Sequence, residues 1–151
     1  MDDPGSAVPV QPTAERTERR SRRELRRQEF RGAVTQFATA LLSYRVAEMD
    51  RWHARHGGWK EEGIAAAEVY RTRTAIWDAF YQLELSTDSS ELRRLARRAL
   101  DRAYSIRQLD TQAEMDECAD QVRDDLTDVI ACARRVEPGR ESDQVLEPAG
   151  R

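Results

Sequence analysis

Apolar residues recur along most of this chain at intervals of three and four, the spacing that places side chains on one face of an α-helix. The clearest run is Phe30, Val34, Phe37, Leu41 and Tyr44. The pair Gly57 and Gly58 follows, and glycine is typical of a helix C-terminus because it adopts left-handed backbone angles without steric cost. The pattern therefore predicts a first helix that ends near residue 55.

The start of this first helix has two interpretations. Ser21 with Glu24 three residues later matches a capping box, which places the start near residue 22. The Arg-rich residues before Ser21 instead extend the helix back to Ala14 if they are helical. The sequence leaves open whether this stretch is helix or flexible arm.

A second and a third helix follow with the same periodicity. The second covers about 59–85, and its apolar stripe is Val69, Ile76, Phe80 and Leu83. A short polar break comes next, in which Asp88 with Glu91 three residues later is a typical N-cap pattern. We therefore predict a third helix over about 89–107.

A fourth helix is predicted over about 112–136, opened by a capping box of Thr111 and Glu114. Its apolar face is Met115, Cys118, Ala119, Val122, Leu126, Val129 and Ala133. Because only a few residues join successive helices, neighbouring helices should run antiparallel. The predicted fold is an all-α, up-down-up-down four-helix bundle with a long Arg-rich first helix.

The prolines and the composition define the limits of this bundle. All five prolines lie at positions 4, 9, 12, 138 and 148. Since proline interrupts helices, we predict a bundle over 14–137, a disordered head over 1–13 and a disordered tail over 138–151. Charged residues make up 35% of the chain and apolar residues 39%, which suits helices with one buried face.

The same composition argues against export and membrane insertion. Asp2 and Asp3 stand where a signal peptide carries positive charge. The longest uncharged run, 32–44, has 13 residues, whereas a spanning helix needs about 18 or more. We expect a cytoplasmic protein in which Cys118 and Cys132 are reduced thiols.

A basic segment lies at the start of the predicted bundle. Residues 15–31 contain eight arginines and four glutamates, a net charge of +4, while residues 32–151 carry 17 basic and 22 acidic side chains, a net charge of −5. The candidate macromolecule-binding residues are Arg16, Arg19, Arg20, Arg22, Arg23, Arg26 and Arg27. The structural alternative is a solvated helix face on which glutamates and arginines pair with each other.

Three hypotheses of function use this segment. A first helix from residue 14 would span about 63 Å and the second helix about 40 Å, so the basic end would project and bind a protein partner as a non-enzymatic interaction module. The second hypothesis is binding of nucleic acid or an anionic surface, without base stacking because no aromatic residue interleaves the arginines. The third is self-association through the first helix, although Leu25 is its only large aliphatic residue between 14 and 29.

The third and fourth helices carry opposite charges. The third has six arginines against two acidic residues, a net charge of +4, and the stretch 114–128 of the fourth has seven acidic residues against one arginine, a net charge of −6. Adjacent in a hairpin, these charges should pair with each other. The pairing would explain both helices without a ligand.

The chain carries no recognisable catalytic motif. It lacks a Ser-His-Asp set, a Gly-rich phosphate loop and a paired zinc motif, so we expect no enzyme, no cofactor and no metal. His53 and His56 with Asp50 are too few for a di-metal bundle site, and with Trp52 and Trp59 they more simply close the end of the bundle. Glu48 and Arg73 fall on or beside core stripes, where they either pair with each other or reach the boundary.

Two stretches of the chain resemble a group of uncharacterised actinobacterial helical proteins. They are RTRTAIWDAFYQLELSTDSSELRRLARRALD at 71–101 and RRELRRQEFRGAVTQFATALLSYR at 22–45, and the resemblance covers about 30–137. Many of these proteins have an N-terminal membrane anchor, an Arg-rich juxtamembrane helix and then a bundle. The resemblance implies a four-helix fold and an origin in a high-GC actinobacterium or one of its phages or plasmids, and no activity. This chain departs from it with a polar head in place of the anchor.

Overall fold

The described part of the protein is a bundle of four α-helices. The computed structural model describes residues 5, 11–58 and 60–140. The helices are α1, Gln11–Arg55; α2, Glu62–Ser86; α3, Ser90–Ser105; and α4, Gln112–Arg135, with a 3-10 turn at Ile106–Gln108 after α3. No strand occurs within those described residues, so the predicted all-α fold class is confirmed.

Contacts between the helices fix their directions. α1 and α2 pack as one hairpin and α3 and α4 as a second. Arg45 in the second half of α1 donates to the carbonyl of Ala119 near the start of α4 at 2.6 Å, while Arg31 in α1 pairs with Glu137 just beyond the end of α4. α1 and α4 are therefore antiparallel, as the up-down-up-down arrangement requires.

The first helix begins earlier than the capping box suggested. It starts at Gln11, and the Ser21 hydroxyl donates to the Thr17 carbonyl at 3.0 Å instead of capping a helix end. The start near residue 22 is therefore wrong, and residues 11–13, the last part of the predicted disordered head, lie in the first turn of α1. Pro12 lies in the first turn, where its missing N–H costs no intrahelical hydrogen bond. Apart from Gly5, residues 1–10 lie outside the described part.

The other helix ends lie within three residues of their predicted positions. α3 is capped by Ser89 rather than by Asp88, since the Ser89 hydroxyl accepts from the Leu92 N–H at 3.1 Å. The capping box of Thr111 and Glu114 is confirmed, with both reciprocal hydrogen bonds formed. Trp59, predicted as the first residue of the second helix, lies outside the described residues, and α2 begins at Glu62.

Two apolar clusters form the core. The main cluster contains residues of all four helices, including Phe37 and Leu41 of α1, Ile76 and Leu83 of α2, Leu92 and Leu100 of α3, and Val122 and Val129 of α4. A smaller cluster at the α1–α2 turn contains Trp52, Ile106, Met115, Cys118 and Ala119. There the Trp52 indole N–H donates to the Leu109 carbonyl at 2.7 Å. Trp52 thus closes this end of the bundle.

A buried ion pair crosses the core between α1 and the end of α3. The Glu48 side chain is fully buried, and its carboxylate lies 2.5 Å from the Arg107 guanidinium. Arg107 also lies 3.5 Å from the Tyr44 hydroxyl, whose pKa is raised by burial and by the nearby Glu48 carboxylate. The hypothesis that Glu48 pairs with Arg73 is wrong, because Arg73 is exposed on α2 and stacks over Tyr104 instead.

Removing Arg107 should destabilise the bundle strongly. In Arg107→Met the Glu48 carboxylate is left buried without its cation, which typically costs about 3–5 kcal/mol. Urea unfolding followed by circular dichroism measures the change in the free energy of unfolding. The matched control is Arg94→Met, on the exposed side of α3, which should stay within about 0.5 kcal/mol of the wild type.

A second variant separates the charge from the packing. The double variant Glu48→Leu with Arg107→Met removes both charges and should recover much of the lost stability, because no unpaired charge is left in the core. If Arg107→Met proves as stable as the Arg94→Met control, the pair does not organise the core.

Candidate macromolecule-binding surface

The N-terminal part of α1 does not pack against the core formed by the described residues. Every residue from 13 to 26 is exposed, and Phe30 is the first residue of α1 that enters the core. At 1.5 Å per residue this stretch extends about 20 Å beyond the core. We call residues 13–26 the basic arm.

Arginines form a continuous stripe along one side of the arm. Arg16, Arg20, Arg23 and Arg27 follow each other at intervals of four, three and four residues, and Arg31 continues the same line. A cleft of about 500 Å³ is lined by Arg20, Arg23, Glu24, Arg27, Gln28, Arg31 and Gly139. The stripe therefore runs from the free end of the arm onto the surface of the bundle.

Most arginines of the arm have no acidic partner among the residues that the structure describes. Arg22 pairs with Glu18 one turn earlier, the one ion pair within the arm among the described residues. No ion pair within the described part of the chain involves Arg16, Arg19, Arg20, Arg23 or Arg26. The structural alternative, in which glutamates and arginines of a solvated face pair with each other, thus explains one arginine of the arm. The other five guanidinium groups are available to a ligand.

The base of the arm is held by the turn that follows α4. Arg31 pairs with Glu137, which raises the pKa of Arg31 and lowers that of the Glu137 carboxyl, and Arg27 donates to the Pro138 carbonyl at 3.3 Å. Gly139 has a φ of 87°, and a Cβ there would lie 2.9 Å from the Arg27 guanidinium. Residues 138–140, the first part of the predicted disordered tail, thus lie in a turn against α1, while 141–151 lie outside the described residues.

The opposite charges of α3 and α4 pair across their hairpin, as predicted. Asp125 is buried and accepts from Arg102 at 2.6 Å, and it lies 3.2 Å from Arg98. Arg98 also pairs with Asp128 at 2.8 Å. The sequence did not indicate that Asp125 is buried, because its neighbours Asp124 and Asp128 are exposed and of similar character. These pairs explain much of the basic character of α3 without a ligand.

The residues considered for metal binding or thiol chemistry have structural contacts. The His56 ring stacks on Trp52 with 3.9 Å between ring centroids, and Asp50 pairs with Lys60 at 2.9 Å. Within the described residues no group of three or more histidines, cysteines and acidic residues lies close enough to hold a metal ion. Cys118 and Cys132 are buried and unbridged, and burial raises the pKa of the Cys132 thiol.

A further surface on α2 and α3 was not identified from the sequence. Arg97 lies 4.9 Å from the Trp77 ring centroid, and Tyr104 is contacted by Arg73 at 5.4 Å and by Arg107 at 4.0 Å. Aromatic residues at spacings of seven and four on the exposed side of α2 were the pattern that could have revealed it. In the described part of the chain, no helix has the length and apolar character needed to cross a membrane.

Within the described residues, the fold is all-α and the basic arm projects from the bundle. Buried ion pairs connect helices beside the apolar core. A family described as KilB plasmid transfer protein matches residues 31–137, which is more than half of the 151-residue chain. The chain therefore belongs to the KilB plasmid transfer protein family. No match was found among curated proteins or among solved structures. The matched region comprises the bundle and begins at Arg31, so the basic arm lies outside it.

The pair of Arg31 and Glu137 predicts a dependence of stability on pH. Because the pKa of Glu137 is lowered in the folded state, its contribution is present above the ordinary carboxyl pKa and is lost as the pH falls through the folded-state value. Replacing the carboxylate in Glu137→Gln should lower the free energy of unfolding at neutral pH and reduce its decline on acidification.

Urea unfolding at a series of pH values from neutral to acidic measures both effects. Glu117→Gln is the matched control, since Glu117 is exposed on α4 and forms no ion pair among the described residues. An acid-side decline in Glu137→Gln equal to that of the wild type would show that the pair does not hold the turn against α1.

Proposed function

We propose that this protein is a non-enzymatic component of plasmid transfer that binds double-stranded DNA through its basic arm. The observation that carries the proposal is the stripe of arginines on an exposed helix end that extends beyond the core of the described residues. In this proposal the bundle is the base that holds the arm, and the phosphates of DNA are the ligand.

The spacing and chemistry of the arginines suit a phosphate backbone. Successive stripe arginines lie roughly one helical turn apart, about 5.4 Å along the axis. Duplex DNA presents one negative charge for about every 1.7 Å of its axis, so each arginine of a helix lying along the duplex has phosphates within reach. The guanidinium fork donates two parallel hydrogen bonds to phosphate oxygens, which makes arginine well suited to such contacts.

The composition of the arm favours DNA over a protein partner. A stable protein interface usually has a desolvated centre of aromatic or aliphatic side chains. The arm offers Leu25, which is 56% exposed, as its one large aliphatic residue, and it contains no aromatic residue on which an unpaired base could stack. Contacts to the phosphates of a duplex need neither feature. The plasmid transfer family supports the same choice, because a plasmid is itself DNA.

The acidic face of α4 should orient the complex. Asp116, Asp120 and Asp124 are exposed at intervals of four residues on this helix. Negative charge along a surface repels DNA, whereas the arm attracts it. The protein should therefore contact DNA with the arm alone and hold α4 away from the duplex.

Neutralising the arm should weaken DNA binding and its salt dependence together. The test variant carries Arg16→Gln, Arg20→Gln and Arg23→Gln. Each phosphate contact that is lost should reduce the slope of log affinity against log salt by about 0.9, because fewer counterions are released on binding. Fluorescence anisotropy of a short labelled duplex, measured with the full chain over a range of salt concentrations, gives both quantities.

A matched variant tests whether position matters as well as charge. Arg94→Gln, Arg123→Gln and Arg134→Gln remove the same charge from exposed positions of the bundle and should leave the salt slope near that of the wild type. Equal losses in the two triple variants would contradict binding by the arm. Wild-type protein that binds anionic vesicles or an acidic protein but not the duplex would contradict the choice of DNA.

A further inference from the structure

The exposed side of α2 carries a row of large apolar residues. Tyr70 is 76% exposed, Tyr81 54% and Leu85 83%, and Trp77 lies half-buried between the two tyrosines. Trp77 and Tyr81 are in ring contact, with centroids 5.8 Å apart. We call these four residues the aromatic face. Contiguous exposed apolar surface of this kind is uncommon on a soluble monomer and marks an interaction site.

Charged residues border the aromatic face on one side. Arg73 lies between Tyr70 and Trp77 along the helix, Arg97 of α3 covers Trp77, and Glu84 follows Tyr81. Tyrosine, tryptophan and arginine are the residues most enriched at the energetic centres of protein interfaces. The chemistry of this face is therefore that of a protein contact, in contrast to the arm.

The order of residues along α2 makes the aromatic face complementary to itself. If α2 of a second copy packs antiparallel against it, with a two-fold axis beside Trp77, residues equally distant from Trp77 face each other. Arg73 and Tyr81 each lie four residues from Trp77, and Tyr70 and Glu84 each lie seven residues from it. A cationic side chain thus faces an aromatic ring twice, and a carboxylate faces a phenol twice.

We propose that two copies of this chain form a two-fold dimer through the aromatic face of α2. A two-fold interface uses the same surface on both copies, which is the pattern that these residue positions provide. The cation–π contact of Arg73 with Tyr81 of the second copy adds to the burial of the aromatic rings. Arg73 already lies beside Tyr104 in its own chain, so the guanidinium would be enclosed between two rings.

The area of the aromatic face suits a dimer of moderate affinity. A fully buried aromatic side chain removes about 150–250 Å² from water, and each partner in a standard interface contributes about 800 Å². The two exposed tyrosines, the exposed part of Trp77, Leu85 and the flanking arginines approach the lower end of the standard size, about 1,200 Å² summed over both partners. We therefore expect a reversible dimer that forms as the protein concentration rises. The dimer does not depend on the ligand of the arm, so the experiment that tests it is independent of the test of DNA binding.

Sedimentation velocity of the full chain over a range of protein concentrations tests the dimer. The wild type should shift from monomer to dimer as the concentration rises. Arg73→Glu places a carboxylate opposite Tyr81, and Tyr81→Arg places a cation opposite Arg73, so each should weaken the dimer at least tenfold. The matched control Ile64→Ser replaces a residue that is 58% exposed on α2 but off the aromatic face, and it should dimerise like the wild type.

Combining the two substitutions tests the predicted pairing itself. In the double variant Arg73→Glu with Tyr81→Arg, opposite charges face each other across the axis, so dimerisation should be largely restored. Residues 73 and 81 lie eight positions apart on one helix and do not contact each other within a chain, so restoration has to come from the second copy.

Three results would overturn the dimer. They are a wild type that stays monomeric at every concentration, an Ile64→Ser variant as impaired as the single variants, and a double variant without restoration. Circular dichroism of each variant confirms the fold, which should be retained because both substituted positions are exposed.

Discussion

The ion pair between Glu48 and Arg107 constrains the arrangement of the helices more than any other contact. A carboxylate that is completely buried needs a cationic partner at hydrogen-bonding distance, and Arg107 in the 3-10 turn after α3 provides it for Glu48 of α1. Arg45 adds a second constraint, because its buried guanidinium reaches the Ala119 carbonyl of α4. These contacts hold the C-terminal part of α1 against the bundle, and residues 13–26 at its N-terminal end extend past the other helices.

The charges of the protein serve two different purposes. Glu48, Asp125 and Arg45 are directed inward or between helices, where each has a partner of opposite charge or a carbonyl oxygen. The arginines of the basic arm face solvent, and among the described residues only Arg22 has an acidic partner, Glu18. Positive charge is therefore concentrated on a projection, while the exposed carboxylates are concentrated on α4. This separation gives the protein a charge asymmetry between the arm and α4, which its net charge of −3 does not reveal.

The sequence predicted the helices better than it predicted their ends and charge partners. Apolar residues at spacings of three and four identify the buried side of each helix directly, because the core excludes water. Pro12 indicated that the first helix begins after residue 13, whereas α1 includes Pro12, because proline is tolerated in a first helical turn. The sequence could not distinguish Ser89 from Asp88 as the cap of α3, because serine and aspartate accept equally well at that position. The partner of Glu48 and the exposure of the arm arginines depend on how the helices pack against each other. The periodicity along one helix carries no information about that packing.

Hydrogen–deuterium exchange of the full chain, with and without a DNA duplex, tests whether the basic arm binds DNA, because it locates the contact along the chain without any substitution. The backbone amides of the basic arm lie beyond the packed core and should exchange quickly in the free protein. DNA should slow exchange in residues 13–26 and leave exchange in α4 unchanged. Slowed exchange confined to the bundle, or none at saturating DNA, would contradict it.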